Sequence, residues 1–166
     1  MSNADFDSGQ PGFSIRVSVP AQRLDLLEGD RIVASYPIST SKYGLGTEPG
    51  SFRTPTGSFV IQEMIGGDAP TRAVFKAREF TGEILPPESD GQDGEIEDAI
   101  LSRILWLAGT EPQNANTHDR YIYIHGTNQE SLIGTPASHG CVRMRNADVI
   151  DLYARVRPGT RVQVNA

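Results

Sequence analysis

The chain has 166 residues, 37% of them hydrophobic, and a formal net charge of −6. That length suits one domain with a real core, while the acidic balance argues against a general nucleic-acid binder, which needs a basic footprint. No apolar run approaches the roughly eighteen residues of a helical membrane span, and a single cysteine, Cys141, excludes an intrachain disulfide.

Residues 1–12 are polar and glycine-containing, with neither the cationic start nor the apolar stretch of a signal peptide. They read as a flexible segment ahead of a domain over 13–166. The expected location is the cytoplasm if the chain is full length, and the periplasm or cell envelope if a leader has been removed.

Short strand-like runs follow. Residues 13–19 (FSIRVSV) alternate apolar and polar, the period of a half-buried strand. Runs at 23–27 and 31–38 flank Glu28-Gly29-Asp30, a hairpin turn. Residues 39–55, rich in Gly, Ser, Thr and Pro, form a long loop leading into a strand over 57–64. Residues 66–70 break that strand, and 74–78 form a weaker one. Residues 86–94 form an acidic, turn-forming loop. The run 96–107 fits either a helical face or a buried strand, and the alternating neighbour at 121–125 favours strand pairing. The one clear helix spans 146–156, with Asn146 as N-cap, Asp148 in the first turn and an apolar stripe of Val149, Ile150, Leu152 and Tyr153. Arg155 and Arg157 suit its C-terminal end, Pro158-Gly159 stops it, and 160–164 closes as a strand. The sum is one mainly-β domain with a short helix after the cysteine.

Charge is unevenly spread. Glu79, Glu83, Glu88, Asp90, Asp93, Glu95, Glu97 and Asp98 have no Lys or Arg among them, whereas Arg143, Arg145, Arg155, Arg157 and Arg161 follow Cys141. Most of these residues read as solvated surface, but the cationic stretch also offers a place to hold an anionic substrate.

The chemistry gathers at Cys141, within Ser138-His139-Gly140-Cys141-Val142-Arg143, downstream of Tyr123-Ile124-His125-Gly126-Thr127. A free thiol is mostly protonated at neutral pH, and an adjacent imidazole can take its proton to make an acyl-transfer nucleophile. The N–H groups of Gly140 and Cys141 would then hold the oxyanion. Two other readings of the same residues stand beside this one. A metal site of His125, His139 and Cys141, with His118, has acceptable zinc ligands but no paired-ligand spacing, so no metal is expected. A buried structural cysteine among packed histidines is the third.

In order and spacing, His125-Gly126-Thr127-Asn128, Ile133-Gly134 and Ser138-His139-Gly140-Cys141-Val142-Arg143-Met144 resemble the L,D-transpeptidase catalytic domain of bacterial cell-wall enzymes. Thr54-Pro55-Thr56-Gly57-Ser58-Phe59 resembles the family's entry to a central strand, and Gly159-Thr160 with Val162 its closing strand. The resemblance implies a β-sandwich or barrel and no cofactor. Cys141 matches the nucleophile, and His125 the general acid/base. His139 and Ser138 match neighbours that orient the site or assist proton transfer. Arg143 stands where many members have Asn, and would grip a substrate carboxylate unless it forms a structural ion pair. Gly140, Gly126 and Thr127 would shape the substrate site.

The implied partner is a murein stem peptide or soluble muropeptide, cut before its terminal D-alanine. Transfer to an amine makes a transpeptidase; transfer to water makes an L,D-carboxypeptidase of cell-wall recycling. Acylation by carbapenems follows from the same resemblance. A non-catalytic murein-binding module is the reading from another class. Nothing in the sequence sets an oligomeric state.

Overall fold

Alternation along the first strand sets the architecture. In the computed structural model, which describes residues 12–87 and 98–166, β1 (Phe13–Ser18) buries Ile15 and Val17 and pairs antiparallel with β2 (Arg23–Glu28). β2 turns at Gly29, whose φ of +61° favours glycine, into β3 (Arg31–Ser39). β4 (Gly57–Ile65) lies antiparallel to β10 (Arg161–Asn165), which returns from the chain end to run parallel to β1. On the other side, β7 (Ile100–Gly109) pairs with β8 (Tyr123–Thr127), β8 runs parallel to β9 (Val142–Met144), and β9 pairs with β3.

The ladder order β4-β10-β1-β2-β3-β9-β8-β7 closes through a β4–β7 pairing, making a barrel of these strands. Its interior is filled from all sides, for example by Ile15, Leu26, Ile38, Phe59, Leu105, Ile124, Val142 and Val162. Helix α1 (Asn146–Tyr153) sends Val149 and Leu152 into the same cluster.

β7 divides its length between two partners. Its C-terminal half pairs with β4, while Ile100 and Leu101 pair with β5 (Ala73–Lys76), which hairpins into β6 (Glu79–Ile84). A bulge separates the halves, with Ser102 at φ +74°. The β5–β6 hairpin thus sits outside the closed ring, over a second apolar cluster of Ala73, Phe75, Ile104, Trp106 and Tyr123, against which Cys141 packs.

The mainly-β architecture with one short helix is as expected, and 100–109 is strand. Four features differ. β6 and the three-residue β9 were not anticipated. Short 3-10 turns at Pro112–Asn114 and His118–Arg120 occupy the expected plain loop. The N-cap is Arg145, not Asn146, because the carboxylate of Glu130 accepts the Asn146 N–H at 2.8 Å and frees the Asn146 side chain for other bonds. The helix ends at Tyr153, where Arg155 N–H closes on Leu152 in a tightened turn, so Arg155 and Arg157 lie beyond it. The expected flexible start at 1–12 and acidic loop at 86–94 fall almost entirely outside the described residues.

Candidate active site

Two parallel strands carry the chemistry. β8 and β9 pair Ile124 with Val142 and His125 with Arg143. Successive residues point to opposite faces of a strand, so with Ile124, Val142 and Met144 in the barrel core, Tyr123, His125 and Arg143 share the other face. Cys141 enters β9 on that same face. It is half-buried, and its sulfur accepts the Tyr123 N–H at 3.3 Å and lies 3.5 Å from the Tyr121 carbonyl.

His125 is 2% exposed, with Nδ1 2.6 Å from the Gly126 carbonyl oxygen. A carbonyl only accepts, so Nδ1 carries the hydrogen and Nε2 of the neutral ring holds the lone pair. Burial lowers the His125 pKa below its usual value, against the raising influences of Asp98 and the Gly126 carbonyl. Burial pushes the Cys141 thiol up to about 12, more than the Tyr123 N–H, Arg143 and Arg120 bring it down. At neutral pH the pair is therefore thiol and neutral imidazole. Such a pair acts by moving the proton as the sulfur attacks.

The Ser138–Cys141 turn is locked locally. Ser138 Oγ donates to the Cys141 carbonyl at 2.7 Å and accepts the Gly140 N–H at 3.2 Å. Thr54 Oγ1 donates to the Gly140 carbonyl at 3.0 Å, and Gly140 sits at φ +124°, a conformation L side chains rarely adopt. The Gly140 N–H, expected as an oxyanion donor, is thus engaged by Ser138. His139 is exposed, its ring 5.8 Å from those of Tyr43 and Phe52. His118 stacks on Trp106 at 3.9 Å and meets Glu63 at 3.2 Å. The three histidines have separate surroundings, and among the described residues no three His, Cys, Asp or Glu side chains are grouped to hold a metal ion.

Arg143, weighed above as a carboxylate grip, is 0% exposed. Its Nη1 lies 3.0 Å from Asp98 Oδ1 and donates to Gln129 Oε1 at 2.7 Å, and Nη2 reaches Ser39 Oγ at 3.4 Å. The geometry supports the structural ion pair, because a fully buried guanidinium has no open side for a substrate. Thr127 joins this frame by donating to Asp98 at 3.0 Å. Gly126 is required by packing, since a Cβ there would meet Asn146 Oδ1 at 2.4 Å and the Leu101 carbonyl at 2.6 Å. These residues hold β8 and β9 in place.

The family profile of the L,D-transpeptidase catalytic domain (YkuD) matches residues 12–164. The chain belongs to this family. It is 30% identical over 152 residues to a protein designated YkuD from Bacillus licheniformis, covering 92% of this chain and 65% of that one. Against the protein of the same designation from Bacillus subtilis it is 30% identical over 156 residues, covering 92% and 66%. The chain thus spans just under two thirds of the length of these relatives. An L,D-transpeptidase from Xylanimonas cellulosilytica superposes with a TM-score of 0.58 at 20% identity, covering 95% of this chain and 62% of that one. One from Mycobacterium smegmatis gives 0.57 at 18%, covering 93% and 59%. At these identities the two structures show a shared fold.

Around Cys141 of this L,D-transpeptidase-family domain lie residues that sequence reasoning missed. Asn146 donates to the Thr127 carbonyl and to Glu130 and accepts from Ser102 Oγ at 2.6 Å, tying α1, β7 and β8 together. Arg120 donates to the carbonyls of Gly46 and Arg53, which fixes the loop beside Cys141. Arg78, at the β5–β6 turn, donates to the Tyr123 hydroxyl at 3.3 Å. Only Tyr123 had a signal in the sequence: two positions before His125 on an alternating strand, it must share the histidine's face.

Proposed function

We propose that this domain is a cysteine acyl-transfer enzyme that opens the L–D peptide bond before the terminal D-alanine of a murein tetrapeptide stem and passes the acyl group to an amine. The observation that carries the reading is that Cys141 shares one face of two parallel strands with His125, whose Nδ1 bond to Gly126 leaves Nε2 free, in a chain of the L,D-transpeptidase family.

The reaction balances on these two side chains. As Sγ of Cys141 bonds to the carbonyl carbon, Nε2 of His125 takes the thiol proton. The C–N bond then breaks, and the imidazolium gives that proton to the departing D-alanine amine. An acceptor amine attacks the thioester, loses a proton to Nε2, and the S–C bond breaks to restore the thiol. The Cys141 N–H is left as the backbone donor for the oxyanion, since Gly140 N–H is bound to Ser138. The same thiol explains expected acylation by carbapenems; an L,D-transpeptidase at 16% identity has been solved in complex with imipenem.

The test is mass spectrometry of a murein tetrapeptide incubated with the protein, with and without an amine acceptor. Release of D-alanine, an acyl adduct on Cys141 and a cross-linked product are expected, all lost in Cys141→Ala. D-Alanine release without any cross-linked product would replace amine transfer by hydrolysis. Folded wild-type protein that releases no D-alanine and carries no adduct would end the proposal.

A further inference from the structure

The β5–β6 hairpin turns on two residues without the usual glycine or asparagine. Ala77 and Arg78 both have positive φ, +49° and +66°. A two-residue turn of this kind normally recruits Asn or Gly, because left-handed backbone strains other side chains. Here the turn delivers a guanidinium to one place. Arg78 lies over the Trp106 ring at 5.0 Å and the Tyr121 ring at 5.1 Å, and its Nη1 donates to the Tyr123 hydroxyl at 3.3 Å. Tyr121 and Tyr123 are the same two residues whose backbone touches the Cys141 sulfur.

Two guanidinia act on Cys141 directly, and both are committed. Arg143 is buried against Asp98, and Arg120 is held by the carbonyls of Gly46 and Arg53. Arg78 is only half-buried, and on its side away from Tyr123 it borders an open groove with Ile65, Gly66, Asp68, Phe75 and Phe80. Its one hydrogen-bond partner is a neutral phenol, and it forms no ion pair with a described carboxylate. An aromatic-backed guanidinium with free N–H groups is suited to bind a carboxylate through two parallel hydrogen bonds.

From this placement we infer that Arg78 forms an anion subsite beside Cys141 that binds the α-carboxylate of the leaving residue. The inference rests on the function proposed above for its choice of carboxylate, though not for the existence of the subsite. In a peptide whose last bond is cut, that carboxylate is three bonds from the attacked carbonyl carbon, with lengths of about 1.33, 1.46 and 1.52 Å. It therefore lies within about 4 Å of the carbon that Sγ attacks. Arg78, held by the side chains of the two residues whose backbone touches the sulfur, is the cation placed to reach it. The subsite confines cleavage to the final bond of a chain, because an internal peptide has no carboxylate at that position.

A probe independent of any peptide tests the subsite. Cys141 is the only thiol, so intact mass reports its alkylation alone. Iodoacetate and iodoacetamide differ in a carboxylate against an amide, and the ratio of their rates reads the local charge. The protein's net charge of −6 works against iodoacetate, so a high ratio is a local effect. The expected result is that Arg78→Met lowers the iodoacetate-to-iodoacetamide ratio about tenfold, the order that a charge-assisted hydrogen bond supports. Arg78→Lys should retain most of it, and the iodoacetamide rate should stay unchanged. An unaltered ratio in folded Arg78→Met, or a ratio that falls only in Arg120→Gln, overturns the proposal. If Arg78→Met does not fold, the same comparison is made with Arg78→Gln, and wild-type protein whose ratio is indifferent to ionic strength counts equally against the subsite.

A second arm uses tetrapeptides ending in a carboxylate or a primary amide. Wild type should prefer the acid through KM, and Arg78→Met should lose that preference. Cleavage of neither peptide would remove the proposed function while the alkylation ratio still decides the subsite. Cleavage of both with equal KM by wild type would remove the assignment to the leaving residue.

Discussion

His125 Nδ1 and the carbonyl of its own neighbour, Gly126, are 2.6 Å apart, and that bond selects which ring nitrogen is free. The donor nitrogen is occupied within β8, so the acceptor nitrogen is the one left for the proton transfer that the proposed reaction assigns to it. An amide placed at 125 can imitate the donor but supplies no basic nitrogen. His125→Asn is therefore expected to lower kcat/KM by about a hundredfold or more, with far-ultraviolet circular dichroism unchanged.

The pH dependence follows from the lowered His125 pKa. Base catalysis needs the neutral ring, and the protonated form prevails only below that depressed value. Activity should persist as the pH drops below the ordinary imidazole value of about 6.5 and disappear only at more acid pH. The acid limb of kcat/KM against pH, which reports the free enzyme, measures this. A limb at or above the ordinary value would contradict the burial argument.

The thiol should behave in the opposite sense. Its folded value, about 12, stands above the ordinary thiol value of 9.0. Below the ordinary value both folded and unfolded chains hold the proton, and the stabilising contribution is complete. As pH rises between the two, the unfolded chain releases its proton first, and that contribution is lost. Urea titrations at increasing alkaline pH should show wild type losing stability faster than Cys141→Ala, which has no thiol to ionise.

Arg143 and Asp98 give a test that separates structure from substrate binding. Removing one partner of a buried ion pair leaves the other uncompensated, at a cost of about 3 kcal/mol or somewhat less where a carboxylate keeps some water. Asp98 is 20% exposed at its side chain. Arg143→Gln should thus lower the urea midpoint clearly while leaving KM of the remaining folded protein near wild type. A raised KM with unchanged stability would return Arg143 to the substrate.

Gly126→Ala should destabilise by about 1–3 kcal/mol through overpacking, since its methyl would meet Asn146 Oδ1 and the Leu101 carbonyl, both under 3.0 Å. Pairing it with Asn146→Ala relieves one of the two contacts. The double variant should therefore cost less than the sum of the singles, which a double-mutant cycle in urea reads directly.

Much of the barrel was legible because its strands are half-buried and alternate: 13–19, 57–64 and 121–125 each announce one apolar face. β9 was not, since three residues are too few to show a period, and its pairing with β8 comes from the tertiary fold. β6 escaped for another reason: every residue of it is exposed, so no apolar face marks it, and the turn at Ala77-Arg78 lacks turn residues. At the site, the motif around Cys141 was visible because its residue types are chemically unusual together. The roles of Asp98, Asn146 and Arg78 were not, because each acts on residues sixteen or more positions away in the chain. Arg143 shows the limit most clearly: the same residue beside a nucleophile reads as a ligand grip until its burial is known.

Since β8 and β9 are both staves of the closed ring, the offset between Cys141 and His125 is set by strand register, with Cys141 two residues before the Arg143 that faces His125. The loop at 46–53 and the β5–β6 hairpin lie outside that ring. The loop anchors Arg120, which lowers the Cys141 pKa, whereas the hairpin reaches the site only through the side chains that Arg78 touches. On the proposed function, selectivity is thereby free to vary through the hairpin while the strands that hold the cysteine and the histidine stay the same.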